Sequence, residues 1–471
     1  MVRIYASIVL IFFFVLLSAQ ENANQQAEFI KGVDLSALLE IEDHGGVFKE
    51  NGISRDALLI LKDHGVNFVR LRIWHRPVSG YNNLAKTALM AERIKSAGCK
   101  FLLDFHYSDT WADPGRQTKP AAWQNLAFQA LQDSLYHYTR AVITILKNQN
   151  TLPDMVQLGN EIVCGMLWND GRVCDQQNTP QQWAQLAALI NAGVRGVNDS
   201  IVPDDSIKIV IHIDRGGDNS GCRWFFDHLL AQNVDFDIIG LSYYPWWHGA
   251  LSDLAANVHD LAQRYGKEIL LVETAYPWTL AWTDDTNNIV GTVAQLDPDY
   301  PATIEGQTSF LKDLIQLLRA VPANKGLGLF YWAPEWISAP RLGSPWENVA
   351  LFDFAGELLN SITAFDSMAA DLSEPNSSSH SFRLQQNYPN PFNPETTIRF
   401  ELARFSYMTL KIYNALGAQV RTLIDGFRAA GEYAVIWDGQ DDRGQKLNSG
   451  LYLCSIQSED QQQSRKLLLL R

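Results

Sequence analysis

Glu161 and Glu273 each lie at the end of a short apolar segment, Asp154–Glu161 and Glu268–Glu273 respectively. Two facing carboxyl groups, one protonated and one ionised, can hydrolyse a glycosidic bond. A single glutamate at such a position is more often part of a structural ion pair. The two glutamates together with their polar and aromatic neighbours form a joint pattern that predicts a glycosidase.

Further polar and aromatic residues lie at or just after the ends of similar segments. Arg72 would hold a nearby nucleophile ionised, Asn160 would bind a sugar 2-hydroxyl, and Tyr243 or Tyr244 would hydrogen-bond the nucleophile. Tryptophan rings can stack on sugar rings. The predicted substrate-binding residues are Asp34, Arg72, Trp74, His106, Trp111, Asn160, His212, Tyr243, Tyr244 and Trp332.

The elements that position these residues alternate between β-rich runs and amphipathic helical stretches from residue 29 to about residue 365. Eight β–α units favour a (β/α)₈ TIM barrel over a doubly wound sheet, and barrel enzymes carry their chemistry at the carboxyl ends of the strands. The eight runs are Phe29–Asp34, Asn67–Ile73, Lys100–His106, Asp154–Glu161, Ile207–Ile213, Phe236–Tyr244, Glu268–Glu273 and Leu327–Ala333.

The barrel geometry also gives an expected separation for the carboxyl pair. Strands about 4.8 Å apart give a radius near 7–8 Å, which leaves roughly 5–6 Å between the carboxyl groups of strands four and seven. Retaining glycosidases have about 5–5.5 Å and inverting ones about 6.5–9.5 Å. The expected separation therefore favours a retaining mechanism.

The sequence lacks the motifs of several other classes of enzyme. His75, His106 and His212 form no metal-hydrolase pattern, and no predicted strand ends in a Schiff-base lysine. Neither a Gly-x-Gly-x-x-Gly nor a Gly-x-Ser-x-Gly motif occurs. The net charge of −14 argues against a nucleic-acid partner. We predict no metal in the catalytic site and no cofactor.

The N-terminus has the pattern of a secretory signal peptide over residues 1–19: one arginine, an apolar run and small residues at the end. A membrane anchor is the alternative, but the run is short for a span of about 20 residues. We therefore expect a secreted or cell-surface protein without a membrane span. Export permits a disulfide, and Cys164 and Cys174 could form one. Cys99 and Cys222 are expected to be free.

The C-terminal part has a different pattern. We place a catalytic barrel at residues 28–370, a polar linker at 371–383 and a β-sandwich of immunoglobulin type at 384–471. The sandwich follows from period-two alternation, as in Ile398-Phe400-Leu402, with glycine-containing turns between the segments.

Several motifs resemble glycoside hydrolase family 53, whose members are endo-β-1,4-galactanases. They include Leu102–Pro114 (LLDFHYSDTWADP), Val156–Ile162 (VQLGNEI), Gly240–Gly249 (GLSYYPWWHG) and Val272–Thr279 (VETAYPWT). The resemblance runs from about Phe29 to Phe354. It implies a retaining double displacement on β-1,4-galactan of pectic arabinogalactan, with Glu161 as acid/base and Glu273 as nucleophile.

Some bacterial members that resemble this chain carry an acidic calcium-binding loop after strand seven. Here the loop reads Thr283–Asn288 (TDDTNN) and lacks the expected histidine, so structural calcium is left open. Two alternatives for function also stay open. One is a retaining glycanase for another β-1,4 polymer such as mannan or cellulose, and the other is a non-catalytic surface glycan-binding protein.

The C-terminal domain resembles both the sorting domain of the type IX secretion system and the immunoglobulin-like domain of flagellar hook-capping proteins. The motifs are Asn387–Pro394 (NYPNPFNP), Trp437-Asp438-Gly439 and the terminal Arg465–Arg471 (RKLLLLR). The resemblance implies that export machinery is a partner of this domain. A spacer or a carbohydrate-binding module is the alternative.

Overall fold

The computed structural model describes residues 28–203, 205–366, 382–403, 406–428, 431–458 and 461–471. The predicted signal peptide at 1–19 and linker residues 371–381 lie outside the described residues. No helix within the described ranges is long and apolar enough to cross a membrane.

Eight parallel strands close into a barrel, in which the first strand pairs with both the eighth and the second. The predicted TIM barrel is therefore confirmed. The strands are β1 (Ile30–Asp34), β2 (Phe68–Ile73), β3 (Lys100–Phe105), β4 (Met155–Leu158), β5 (Lys208–Ile213), β6 (Ile238–Tyr243), β7 (Glu268–Thr274) and β8 (Gly326–Tyr331). Two short hairpins, Lys49–Glu50 with Ile53–Ser54 and Gly165–Met166 with Gly171–Arg172, lie outside the barrel sheet.

Helices cover the barrel, and polar side chains begin several of them. Asp56, Asn83 and Thr179 each accept a hydrogen bond from a backbone N–H in the first turn of the helix that follows. The helices are α1 (Leu38–Asp43), α2 (Ala57–Asp63), α3 (Leu84–Ser96), α4 (Phe128–Asn148), α5 (Pro180–Asn198), α6 (Asn219–Leu230), α7 (Pro245–His248), α8 (Leu251–Tyr265), α9 (Ile304–Arg319) and α10 (Thr363–Asp366).

Along the strands, side chains point alternately into the core between the strands and the helices and into the barrel interior. On β2, Val69, Leu71 and Ile73 pack in the core between the strands and the helices, so Arg70 and Arg72 point toward the barrel axis. A second apolar cluster fills the interior of the barrel, so that polar groups occupy only one end. Its members are Ile30, Phe68, Leu102, Met155, Val210, Ile238, Leu270, Val272, Leu327 and Phe330.

The C-terminal unit is an all-β sandwich, as predicted, with sheets β9-β10-β13 and β12-β11-β14-β15. Its first strand begins at Phe382, slightly before the predicted boundary at residue 384. Trp437 and Met408 are among the side chains that fill the space between the sheets. The strands are β9 (Phe382–Leu384), β10 (Thr396–Leu402), β11 (Ser406–Asn414), β12 (Gln419–Arg428), β13 (Gly431–Trp437), β14 (Gly450–Ser458) and β15 (Gln461–Leu469).

Cys164 and Cys174 form a disulfide, with their Cα atoms 5.0 Å apart. It closes the loop that follows β4. Cys99, Cys222 and Cys454 are free and buried among the described residues. The expected pairing of the loop cysteines is confirmed, as are the free thiols of Cys99 and Cys222.

Candidate active site

Glu161 lies on a tight turn after β4 rather than at the end of the strand. The strand stops at Leu158, Gly159 has a φ of +89°, and Glu161 itself is left-handed with a φ of 49°. A Cβ atom on Gly159 would lie 2.6 Å from Cγ2 of Ile162, so the turn requires glycine there. The predicted strand Asp154–Glu161 is therefore too long at this end. The period-two alternation of apolar residues does not predict the left-handed turn on which Glu161 lies.

Glu273 is a buried residue of β7, and it contacts Arg70 on β2 and Tyr244 just after β6. Its Oε2 accepts a hydrogen bond from the Tyr244 hydroxyl at 3.0 Å, and its Oε1 lies 3.0 Å from Nη2 of Arg70. A cation and a hydroxyl donor at its two oxygens orient a carboxylate and favour its ionised form. These contacts suit a nucleophile.

Arg70, not Arg72, supplies the cation to this carboxylate. Arg70 is fully buried, with Nη1 2.8 Å from Oδ2 of Asp34 and Nη2 2.8 Å from Oδ2 of Asp104. One guanidinium is thus shared by Asp34, Asp104 and Glu273. The prediction that Arg72 holds the nucleophile ionised is wrong.

Arg72 lies one inward-facing position further along β2, among aromatic rings. The centre of its guanidinium is 5.2 Å from the Trp74 ring centroid and 4.2 Å from that of Trp111, which are cation–π distances. Burial lowers the pKa of Arg72. The side chain packs with the aromatic residues of the cleft, and a substrate-binding role for Arg72, Trp74 and Trp111 stays a prediction.

Asn160 and His106 belong to the network around Arg70. The Asn160 Oδ1 accepts a hydrogen bond from Nη2 of Arg70 at 2.9 Å, and its Nδ2 donates to the Ala112 carbonyl at 2.9 Å. His106 Nε2 lies 3.0 Å from Oδ2 of Asp104, while its Nδ1 faces the Trp74 indole N–H at 3.2 Å. These contacts orient both side chains, and their predicted contacts with sugar are untested.

The structure distinguishes the two adjacent tyrosines. Tyr244 contacts Glu273, whereas the Tyr243 hydroxyl donates to the Gly249 carbonyl at 2.9 Å and its ring stacks on Phe310. Successive residues of a strand point to opposite faces, so only one of the pair can reach the barrel interior. The structure therefore does not bring Tyr243 to the cleft.

Aromatic side chains surround the carboxylates on two sides. Trp111 stacks on Trp336, with the ring centroids 6.4 Å apart, and the Trp332 ring centroid lies 6.0 Å from that of Trp111. On the other side Trp246 packs at 5.2 Å from Tyr244, next to Trp247, which is 56% exposed. Flat apolar rings beside hydrogen-bonding carboxylates suit a polysaccharide chain.

The surroundings of Glu161 and Glu273 give the two carboxyl groups different pKa values. The pKa of Glu161 is raised well above its ordinary value, first by burial and then by the charges of Glu273 and Asp214. Burial also raises the pKa of Glu273, but Arg70 opposes this effect. Glu161 therefore keeps its proton to higher pH than Glu273 does. One acid and one ionised carboxylate coexist between the two pKa values.

Three polar residues of the site were not predicted from the sequence: Arg70, Gln157 and Ser242. Each faces the barrel interior from an otherwise apolar strand, and the Ser242 hydroxyl donates to Oε1 of Glu161 at 2.6 Å. A buried polar residue on the inward face was the available signal, because such a group needs a partner inside the barrel.

This arrangement of groups has a counterpart among known families. The sequence model of glycosyl hydrolase family 53 matches residues 30–365. The chain belongs to glycoside hydrolase family 53. It is therefore a glycoside hydrolase, and the family resemblance noted in the sequence is confirmed.

Three relatives illustrate the similarity of this family 53 chain. It is 50% identical over 347 residues to an uncharacterized Niallia circulans protein, covering 72% of this chain and 94% of that one. It is 36% identical over 369 residues to the arabinogalactan endo-β-1,4-galactanase of Cellvibrio japonicus, covering 76% and 95% respectively. The solved family 53 catalytic domain of Ignisphaera aggregans matches with 41% identity and a TM-score of 0.68, covering 73% and 96%.

The C-terminal unit of the family 53 chain matches a separate model. The FlgD immunoglobulin-like domain covers residues 390–462. The predicted similarity to hook-capping domains is thus confirmed. The type IX sorting assignment stays a prediction.

In the loop after β7, protein hydrogen bonds hold the carboxylate of Asp284. Asp284 accepts hydrogen bonds from the Ser338 hydroxyl and from the backbone N–H groups of Thr286 and Ser344. Both carboxylate oxygens of Asp284 thus have protein donors. Within the described ranges, no group of three or more histidine, cysteine, aspartate or glutamate residues could hold a metal ion.

Proposed function

We propose that this family 53 enzyme is a secreted, retaining endo-β-1,4-galactanase that acts on galactan side chains of pectin. The observation that carries the proposal is the asymmetry of the carboxyl pair. Arg70 lies 3.0 Å from the Glu273 carboxylate, whereas Glu161 accepts a hydrogen bond from a neutral serine. The name of the Cellvibrio japonicus relative supports galactan as the substrate.

The reaction is a double displacement. Glu273 attacks the anomeric carbon, and the glycosidic C–O bond breaks as Glu161 gives its proton to the leaving oxygen. Glu161, now ionised, takes a proton from water, and the resulting hydroxide displaces Glu273 from the anomeric carbon. The anomeric configuration is inverted twice and so retained, and both carboxyl groups return to their starting states.

Stereochemistry tests the mechanism apart from the substrate. Proton NMR of a short β-1,4-galacto-oligosaccharide during hydrolysis resolves the anomer that forms first. The proposal predicts the β-anomer before mutarotation. An initial α-anomer would mean inversion and would contradict the nucleophile role of Glu273.

Substrate class is tested by reducing-sugar release from linear β-1,4-galactan, with mannan, cellulose and xylan alongside. Release from galactan alone is expected. Release from another polymer would keep the mechanism and replace the substrate. Loss of hydrolysis with retained binding in Glu161→Gln would exclude the glycan-binding alternative, because a binding protein needs no acid.

The proposal also covers export. The apolar N-terminal segment supports cleavage of a signal peptide, and the FlgD-like domain at residues 390–462 supports recognition by an export system. In the native host, a chain ending at residue 366 is expected to stay cell-associated, while the full chain reaches the surface or medium. Equal export of both chains would assign the sandwich to another role, such as a spacer.

A further inference from the structure

The acid/base carboxyl is held by a serine that the double displacement does not itself require. Ser242 is fully buried on β6, and its hydroxyl donates to Oε1 of Glu161 at 2.6 Å. The same Oγ lies 2.8 Å from Nε2 of His212 on β5. His212, Ser242 and Glu161, from three different segments of the chain, thus form one hydrogen-bonded row.

The tautomer of His212 sets the direction of donation along this row. The backbone N–H of Glu161 donates to Nδ1 of His212 at 3.3 Å, and the amide nitrogen of Gln157 lies 3.0 Å from the same atom. A neutral imidazole has one donor and one acceptor nitrogen, so an Nδ1 that accepts leaves the proton on Nε2. His212 therefore donates to Ser242.

Asn160 does not reverse this assignment. Its Oδ1 lies 3.1 Å from Nδ1 of His212, but that oxygen already accepts from Arg70 at 2.9 Å. The backbone N–H of Glu161 cannot rotate to find another acceptor. Burial, Arg70 and the neighbouring His106 and His248 lower the pKa of His212 well below its ordinary value, so it stays neutral.

The row therefore ends at one defined oxygen of Glu161. Ser242 receives the Nε2–H of His212 and gives its own hydrogen to Oε1, so Oε1 is an acceptor. The labile proton of the neutral acid must then sit on Oε2. We propose that Ser242, locked by His212, is a positioning residue that fixes the catalytic proton on Oε2 of Glu161.

This inference rests on the proposed acid/base role of Glu161. Without the serine hydroxyl, the proton could occupy either oxygen and the carboxyl could rotate, so proton transfer to the leaving oxygen would be slower. Other groups around Glu161 would remain: Glu273 and Asp214 raise its pKa and Arg70 lowers it. The Ser242 hydrogen bond also lowers this pKa, and its removal would raise the pKa further.

The test compares Ser242→Ala on two substrates by kcat/KM, which reports the first displacement. On β-1,4-galactan, a loss of about tenfold is expected, part of the about 10²- to 10⁴-fold that general acids supply. On a 2,4-dinitrophenyl β-galactobioside, whose leaving group needs no proton, a loss below about twofold is expected. The alkaline limb of the galactan profile should move to higher pH.

Two further variants make the outcome specific. Ser242→Thr keeps the hydroxyl and should restore most of the galactan activity. Ser361→Ala is the matched control, at a buried serine whose hydroxyl has no hydrogen-bond partner among the residues that the structure describes. It should leave the activity on both substrates unchanged. Melting temperatures identify any variant that fails to fold.

Each contrary result has a distinct meaning. Equal losses of kcat/KM on both substrates, with the alkaline limb of the galactan profile unchanged, would show that Ser242 has only a structural role. That result would overturn the inference. Full galactan activity in Ser242→Ala would also overturn it while leaving the proposed function intact. A wild-type enzyme without galactan activity would instead contradict the proposed function.

Discussion

Nη2 of Arg70 lies 3.0 Å from Oε1 of Glu273, inside a barrel layer that also contains Asp34 and Asp104. Asp34 and Arg70 are register partners on β1 and β2, so the cation is built into the sheet rather than carried by a loop. The cation beside the Glu273 carboxylate is therefore fixed by ion pairs to Asp34 and Asp104 on the neighbouring strands.

Replacing Arg70 by lysine tests this relationship. A lysine ammonium is a point charge that cannot form the same fork, so the Glu273 carboxylate would shift and its pKa would rise. We expect kcat/KM on galactan to fall by about 100-fold, and the acidic limb of its pH profile to move upward. An unchanged acidic limb would show that Arg70 does not set the ionisation of Glu273.

Tyr244→Phe removes the hydroxyl that donates to Glu273. A hydrogen bond to a charged group is worth about 1.5–3 kcal/mol, so a roughly 10- to 100-fold fall in kcat/KM is expected. Tyr243→Phe is the matched control, because its hydroxyl donates to the Gly249 carbonyl outside the cleft. It should cost about 1 kcal/mol of stability and leave the pH profile in place. Equal kinetic effects of the two variants would contradict the assignment.

Asp214→Asn removes a negative charge that faces Glu161. That charge raises the pKa of Glu161, so its loss should lower the pKa and move the alkaline limb of kcat/KM to lower pH. The measurement is a pH profile on galactan for both enzymes. A limb that moves upward would mean that Asp214 acts on Glu161 through contacts rather than charge.

We expect Glu335→Gln to stabilise the protein, and the gain in stability to increase with pH. Burial raises the pKa of Glu335 to about 8, while its Oε1 accepts a hydrogen bond from the Ala37 N–H that glutamine can also accept. The unfolded chain ionises near its ordinary pKa of about 4.3, so the native protein loses stability as pH rises from there to about 8. The variant lacks this loss, so its melting-temperature advantage should be larger at pH 9 than at pH 4. An advantage independent of pH would contradict the buried neutral carboxyl.

The sequence predicted the barrel because both signals were local: period-two strands alternate with helical stretches, and Gly65 and Gly98 end α2 and α3. Glu161 and Glu273 were found for the same reason, since each follows an apolar run. Residues deeper in the barrel were harder to assign. Arg70 and Arg72 share one face of β2, and only their depth in the barrel decides which one reaches Glu273.

Two other details depended on tertiary structure. The turn that presents Glu161 needs left-handed residues, which periodicity does not reveal. On β14 of the sandwich, the apolar Leu451 and Leu453 are exposed, while Tyr452 and Cys454 face the core. A short run with apolar residues on both faces does not define its buried side.

Azide rescue of two variants tests the assignment of roles most directly. With a 2,4-dinitrophenyl β-galactobioside, Glu161→Ala should still form the intermediate on Glu273, and azide should release a β-glycosyl azide. Glu273→Ala has no nucleophile, so azide should enter from the opposite face and give the α-glycosyl azide. The reverse pattern of products would exchange the roles of Glu161 and Glu273 and contradict the account.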